Sequence, residues 1–146
     1  MMNMSKKILF TVYIMAFSLG AFAQNKKKPG KQIHQIVFQM SNDDTLVHKG
    51  LMRQLNNVLS AAPDAKIEVV CHGPGIEMIM TGKTVVLDKI QVLKSKGVVF
   101  AACENTLKEK HIDKKMILTE AGFVPSALIE IVVRQEEGWS YIKAGF

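Results

Sequence analysis

The stretch Lys96-Gly97-Val98-Val99-Phe100-Ala101-Ala102-Cys103-Glu104-Asn105-Thr106 decides the fold. A lysine-rich helix end stops at Gly97, and an apolar run of small and β-branched residues follows without polar alternation. Such a run, closed by a helix start where Asn105 can cap, predicts a strand buried on both faces, as in a parallel sheet. Ligands of open α/β sheets bind beyond the carboxyl ends of the strands, so Cys103 stands where chemistry is expected. The free amides and dipole at a helix start favour negative charge, and hence a thiolate.

On either side of this strand the chain alternates between strand and helix patterns. Residues 33–40 form an apolar first strand, and Ser41-Asn42-Asp43-Asp44 is a turn rich in helix caps. Val47, Leu51, Leu55 and Val58 then share one face of a helix. Residues 66–71 are a second strand, followed by the loop His72-Gly73-Pro74-Gly75. A short helix over 76–80 and a second helix carrying Val86, Ile90 and Leu93 lead to Gly97. Beyond Thr106, residues 113–118 suggest a further helical turn, and Phe123-Val124-Pro125 can be only a brief strand because proline lacks the ladder donor. Ser126 is placed to cap a last helix in which Leu128, Ile131, Val132 and Gln135 share a face, and residues 139–143 close the chain as a strand. This alternation predicts an α/β fold, a parallel sheet with helices on both faces.

With 48% hydrophobic and 22% charged residues over 146 positions, the composition fits one globular domain. Its start reads differently. Lys6-Lys7, a short apolar run over 8–19 and Ala21-Phe22-Ala23 have the pattern of a secretory signal peptide over 1–23, too short in its apolar part for a spanning helix of roughly 20 residues. An uncleaved anchor is the alternative; either way the membrane is met only through this segment. No cysteine follows the cleavage site, which argues against a lipoprotein. The expected location is exported, in the periplasm, with a basic linker over 24–32 and the folded domain over 33–146. The net charge of +6 comes from Lys6, Lys7, Lys26, Lys27, Lys28 and Lys31; the remaining 13 basic residues face 13 acidic ones. No basic patch interleaves with aromatics, so nucleic acid is not an expected partner.

Residues 97–106, together with Val124-Pro125-Ser126-Ala127 and the run from Arg134 to Lys143, resemble the DsrE/DsrF-like family. The resemblance covers nearly all of 33–143. It implies a flavodoxin-like three-layer sandwich with a mostly parallel five-stranded sheet of order 2-1-3-4-5, and assembly into homo-oligomers, trimers or hexamers. In the sulfur-relay members the cysteine ending the third strand carries a persulfide passed between proteins, and Cys103 matches that position.

In a 2-1-3 order the loop 41–44 would face 103–106 across the crevice at the switch point. That makes Asn42, Asp43, Asn105 and Thr106 candidate ligand contacts, with Cys71 and His72 on the same rim. The plainer readings are that Asp44 and Asn105 are helix caps, that His72 is a solvent-facing loop residue, and that Cys103 merely ends a buried strand. Cys71 and Cys103 would lie two strands, or about 10 Å, apart, beyond the roughly 7 Å between Cα atoms that a disulfide tolerates. Cys71, His72 and Cys103 supply no tetrahedral metal set, and Gly73-Pro74-Gly75 lacks phosphate-loop spacing. No metal or cofactor is therefore expected. Two functions remain: a persulfide carrier with sulfurtransferase-like chemistry at Cys103, exchanging sulfur with donor and acceptor proteins or small thiols, or a non-catalytic module binding a small ligand or protein in the same crevice.

Overall fold

The computed structural model describes residues 33–145; the expected signal peptide and basic linker lie outside the described residues. Five strands form one sheet, β1 (Gln35–Met40), β2 (Lys66–Cys71), β3 (Val99–Cys103), β4 (Ala121–Val124) and β5 (Ser140–Lys143), and every pairing is parallel. Four α-helices connect them: α1 (Thr45–Ala61), α2 (Leu87–Ser95), α3 (Glu104–Glu109) and α4 (Ala127–Glu136), with 3-10 turns at Gly73–Ile79 and Lys114–Met116. The three-layer α/β arrangement is the one implied by the sequence.

The strand order is β4-β3-β2-β1-β5, not 2-1-3-4-5. β2, rather than β1, is the neighbour of β3. Burial explains the difference. Ile67 through Cys71 are all buried, which requires a paired strand on each side, whereas every residue of β5 is exposed and suits an edge.

This order also dictates where the helices go. Parallel crossovers are right-handed, so successive steps in one direction place their connections on one face of the sheet. The steps β1 to β2, β2 to β3 and β3 to β4 all run the same way, and Leu51, Leu55, Ile90, Leu93 and Leu107 pack together over Phe38, Val69, Cys71 and Phe100. After β4 the chain turns back to reach β1. The single helix of that return, α4, lies on the other face, where Ala127 and Ile131 pack on Val37, Val70 and Cys103.

The two layers differ in thickness. α1 is capped by Asp44, whose side chain accepts from Leu46 N at 2.8 Å, and buries Val47, His48, Leu51, Met52 and Leu55. α4 buries only Ala127 and Ile131, so Leu128 and Val132 do not share the inward face with Ile131; they are exposed beside Ile129 and Val133.

An ion pair fastens α4. Glu68 of β2 is 2% exposed, and its carboxylate accepts from Nε of Arg134. The same guanidinium reaches Glu130 at 3.0 Å and Glu137 at 3.1 Å and stacks over the Trp139 ring at 5.0 Å. Burial raises the Glu68 carboxyl above its ordinary value, against the pull of Arg134. Removing one partner of a buried pair leaves an uncompensated charge. Arg134→Met is thus expected to cost about 3 kcal/mol near neutral pH, and adding Glu68→Gln should recover part of it. The sign with pH follows from the raised value. A carboxyl that holds its proton more tightly when folded favours the fold below its unfolded value of 4.5, and this contribution is lost as pH rises through the folded value. Urea unfolding of Arg134→Met should show its deficit narrowing toward pH 4.5; a deficit independent of pH would exclude Glu68 as its source.

Candidate functional site

In a parallel sheet all carboxyl ends share one rim. The connections leaving β1, β2 and β3 go to one face and the connection leaving β4 goes to the other, so the rim opens between β3 and β4. Cys103 ends β3 at this point, across from Val124. The switch point therefore does hold Cys103, but its facing loop is Pro125-Ser126, not 41–44.

Two helices begin at the sulfur. Cys103 is the N-cap residue of α3, and its Sγ accepts the backbone N–H of Ala127, the first residue of α4, at 3.3 Å. Ser126, at the N-cap position of α4, makes no side-chain cap hydrogen bond. An N–H aimed at sulfur from the start of a ten-residue helix favours negative charge there. Cys103 itself is only 4% exposed.

The other sequence candidates divide. Asn105 is not a cap: it lies inside α3, is exposed, and donates its backbone N–H to Pro125 O at 3.3 Å, joining the β3 and β4 loops. Thr106 is buried, and its hydroxyl accepts Gly73 N–H at 3.0 Å, joining the β3 and β2 loops. Asn42 and Asp43 stand at the end of β1, with β2 between them and β3, and do not face Cys103. Asn42 serves the start of α1, accepting Asp44 N–H on its side chain at 2.7 Å and a bond from His48 Nε2 on its carbonyl.

Cys71 and Cys103 are on adjacent strands, not two strands apart. Cys71 pairs with Ala102, so Cys103 is one residue out of register and its side chain points to the opposite face. Cys71 belongs to the core under α1 and α2, while Cys103 packs under α4. Both are free thiols, and complete burial pushes the Cys71 thiol far above the ordinary thiol range.

His72 extends β2 by one residue. Its backbone is extended at φ −150° and ψ 171°, and its N–H donates to Met40 O at 3.0 Å. Alternation then places it on the face of Val70 and Cys103. It is half-buried rather than solvent-facing, with Nε2 at 2.8 Å from Gln39 Nε2, and Gln39 Oε1 accepts the Tyr141 hydroxyl. Burial holds His72 below the ordinary histidine range, so the neutral ring prevails. Gln39 and Tyr141 escaped the sequence reading; the available signal was a glutamine on the second face of an otherwise apolar strand. The Gly73-Pro74-Gly75 turn earns its second glycine by close approach: a Cβ on Gly75 would lie 2.4 Å from Met40 O.

A cleft of about 630 Å³ opens along α3, its lining including Glu104, Asn105, Lys108, His111, Lys114 and Pro125 but not Cys103. Lys114 pairs with Glu104 and sits 4.8 Å over the Phe123 ring. Among the described residues no group of three or more His, Cys, Asp or Glu could hold a metal.

The parity of the two cysteines has a direct test. Mild oxidation should leave the monomer mass without the loss of two hydrogens that marks an intrachain disulfide. Alkylation of the folded chain should mark Cys103 alone, with Cys71 reacting only on unfolding; equal rates at both would contradict this placement.

The DsrE/DsrF-like family model matches residues 12–144. No curated protein matches the chain. Among solved structures, MTH1491 from Methanobacterium thermoautotrophicum, a protein of unknown function, is 30% identical, with a TM-score of 0.72 over 75% of this chain and 98% of its own. The ychN protein from E. coli has a TM-score of 0.64 over 77% of this chain and 99% of its own, at 7% identity, a likeness of fold alone.

Proposed function

The chain belongs to the DsrE/DsrF-like family, which is associated with sulfur relay, and from that premise we propose that it is an exported persulfide carrier acting through Cys103. The observation that carries the reading is the placement of Cys103 at the switch point with the first amide of α4 on its sulfur. The Cys103 thiolate attacks the terminal sulfur of a persulfide donor RS–SH, a Cys103–S–SH bond forms as the RS–S bond breaks, and RS⁻ leaves to take up a proton. The sulfane sulfur is handed on unchanged in oxidation state, and an acceptor thiol removes it by the reverse step.

Intact mass after exposure to polysulfide tests this. A gain of about 32 Da, reversed by reductant, is expected for the wild type and for Cys71→Ser and absent from Cys103→Ser. Loading retained in Cys103→Ser would refute the role. The same spectrum of protein recovered from the periplasm reads the export proposal: cleavage leaves a chain beginning at Gln24, an uncleaved anchor leaves the full mass, and absence from that compartment refutes export.

A second reading is favoured by a cleft along α3 that the buried Cys103 does not line: a non-catalytic module that takes a small ligand or protein segment there. It predicts no sulfur gain and unchanged ligand affinity in Cys103→Ser.

We also propose a homo-oligomer, a trimer or hexamer, covering α4. Leu128, Ile129, Val132 and Val133 form a contiguous outward stripe, with Leu128 and Ile129 60% and 62% exposed, and among the described residues the helix carrying them is the one helix over its face. Light scattering should give a multiple of the chain mass that falls to the monomer in Ile129→Glu; a monomeric wild type would end this proposal.

A further inference from the structure

We propose that His72, held by Gln39 and Tyr141, is the proton acceptor for the Cys103 thiol. This rests on the sulfur-carrier reading for its purpose but not for its geometry.

Register brings the two residues together. β2 and β3 pair Glu68 with Val99, Val70 with Ala101 and, on the other face, Cys71 with Ala102. One step further, His72 stands across from Cys103, because both backbones are still extended there. The Gln39 bond confirms the face: Gln39 pairs with Val70 in β1, on the Val37 side of the sheet, and reaches His72 from there. With Nε2 occupied from the β1 side, Nδ1 is the ring nitrogen left for the β3 side.

The linkage between His72 and Tyr141 is reversible. In the arrangement described, the Gln39 amide nitrogen donates to His72 Nε2 and its oxygen accepts from the Tyr141 hydroxyl. The hydroxyl donates or accepts, and the ring does either according to its tautomer, so a half-turn of the amide with transfer of the ring proton from Nδ1 to Nε2 gives an equivalent chain. Nε2–H then donates to Gln39 Oε1, the Gln39 amide donates to the Tyr141 oxygen, and Nδ1 is bare. That form takes the thiol proton. The proton moves from Cys103 Sγ to His72 Nδ1, leaving thiolate and imidazolium, and the imidazolium keeps its Nε2–H bond to Gln39. When the thiolate displaces RS⁻ from the persulfide donor, the imidazolium returns the proton as RSH. No electrons are needed from elsewhere.

The surroundings suit a neutral base. Among the described residues, the charged groups on this face are Lys143 of β5, paired in register with Gln39, and the cluster of Glu68, Glu130, Arg134 and Glu137 where α4 meets β2; Glu104 follows Cys103 and pairs with Lys114. None of these carboxylates is bonded to the ring, which is held by a neutral amide. A fixed imidazolium is thereby not favoured at rest, as a base requires.

The test is the pH profile of Cys103 alkylation by iodoacetamide in the full chain. In His72→Ala the rate at pH 7 should fall about tenfold and the profile move to higher pH, and added imidazole should restore much of the rate. Tyr141→Phe, a change at an exposed edge residue that removes only the far anchor, should give a smaller fall in the same direction. A wild-type profile unchanged in both variants, or a Cys103 inert to alkylation in the folded chain, overturns the proposal. Polysulfide loading separates the two ideas. Loading with a pH profile indifferent to His72 refutes the acceptor and keeps the carrier, whereas a His72-dependent alkylation profile without loading keeps the acceptor and refutes the carrier.

Discussion

The handedness of parallel crossovers is the constraint on which this structure depends. Three right-handed steps in one direction place α1, α2 and α3 on one face, and the only way back to a free sheet edge puts α4 on the other. The reversal occurs between β3 and β4. It opens the rim at the end of β3, and it brings the start of α4 to the Cys103 sulfur. Site and topology are consequences of the same turn in the chain.

Among the described residues that arrangement leaves the second face thinly covered, and charge helps to hold its helix. One ten-residue helix with two buried apolar residues supplies little hydrophobic hold, so Glu68 and Arg134 fasten it from β2. A carboxylate inside a strand is expensive unless paired, and here the pair also turns the apolar residues Leu128, Ile129, Val132 and Val133 outward. Trp139, stacked on the same guanidinium, links this anchor to the start of β5. The positions that hold α4 and those it exposes interleave along three turns of helix.

Much of the fold was legible because parallel strands buried on both faces are written as unbroken apolar runs. β2 has the bounds its apolar run predicts, and β3 ends at Cys103 as expected but begins at Val99, two residues after Gly97. The position of Cys103 at the carboxyl end of β3 is legible for the same reason, since the run ends in it. Helix faces were read less well where burial is shallow: Leu128 and Val132 follow the helical period but face outward, because only a narrow stripe of α4 meets the sheet. Asn42 and Asp43 would line the crevice only if β1 and β3 were neighbours, and β2 lies between them.

The sequence by itself determined the family, the alternation of strand and helix, and the cysteine at the end of the third strand, since each is carried by local pattern. Tertiary structure alone decided which strands are neighbours, and with that the meaning of the side chains. A one-residue offset sends Cys71 and Cys103 to opposite faces and, by alternation, leaves His72 on the Cys103 side of the sheet. It also joins Gln39 to His72 and Tyr141, residues 33 and 102 positions distant in the chain. Pairing is a long-range choice made by total burial, and no local run of residues records it.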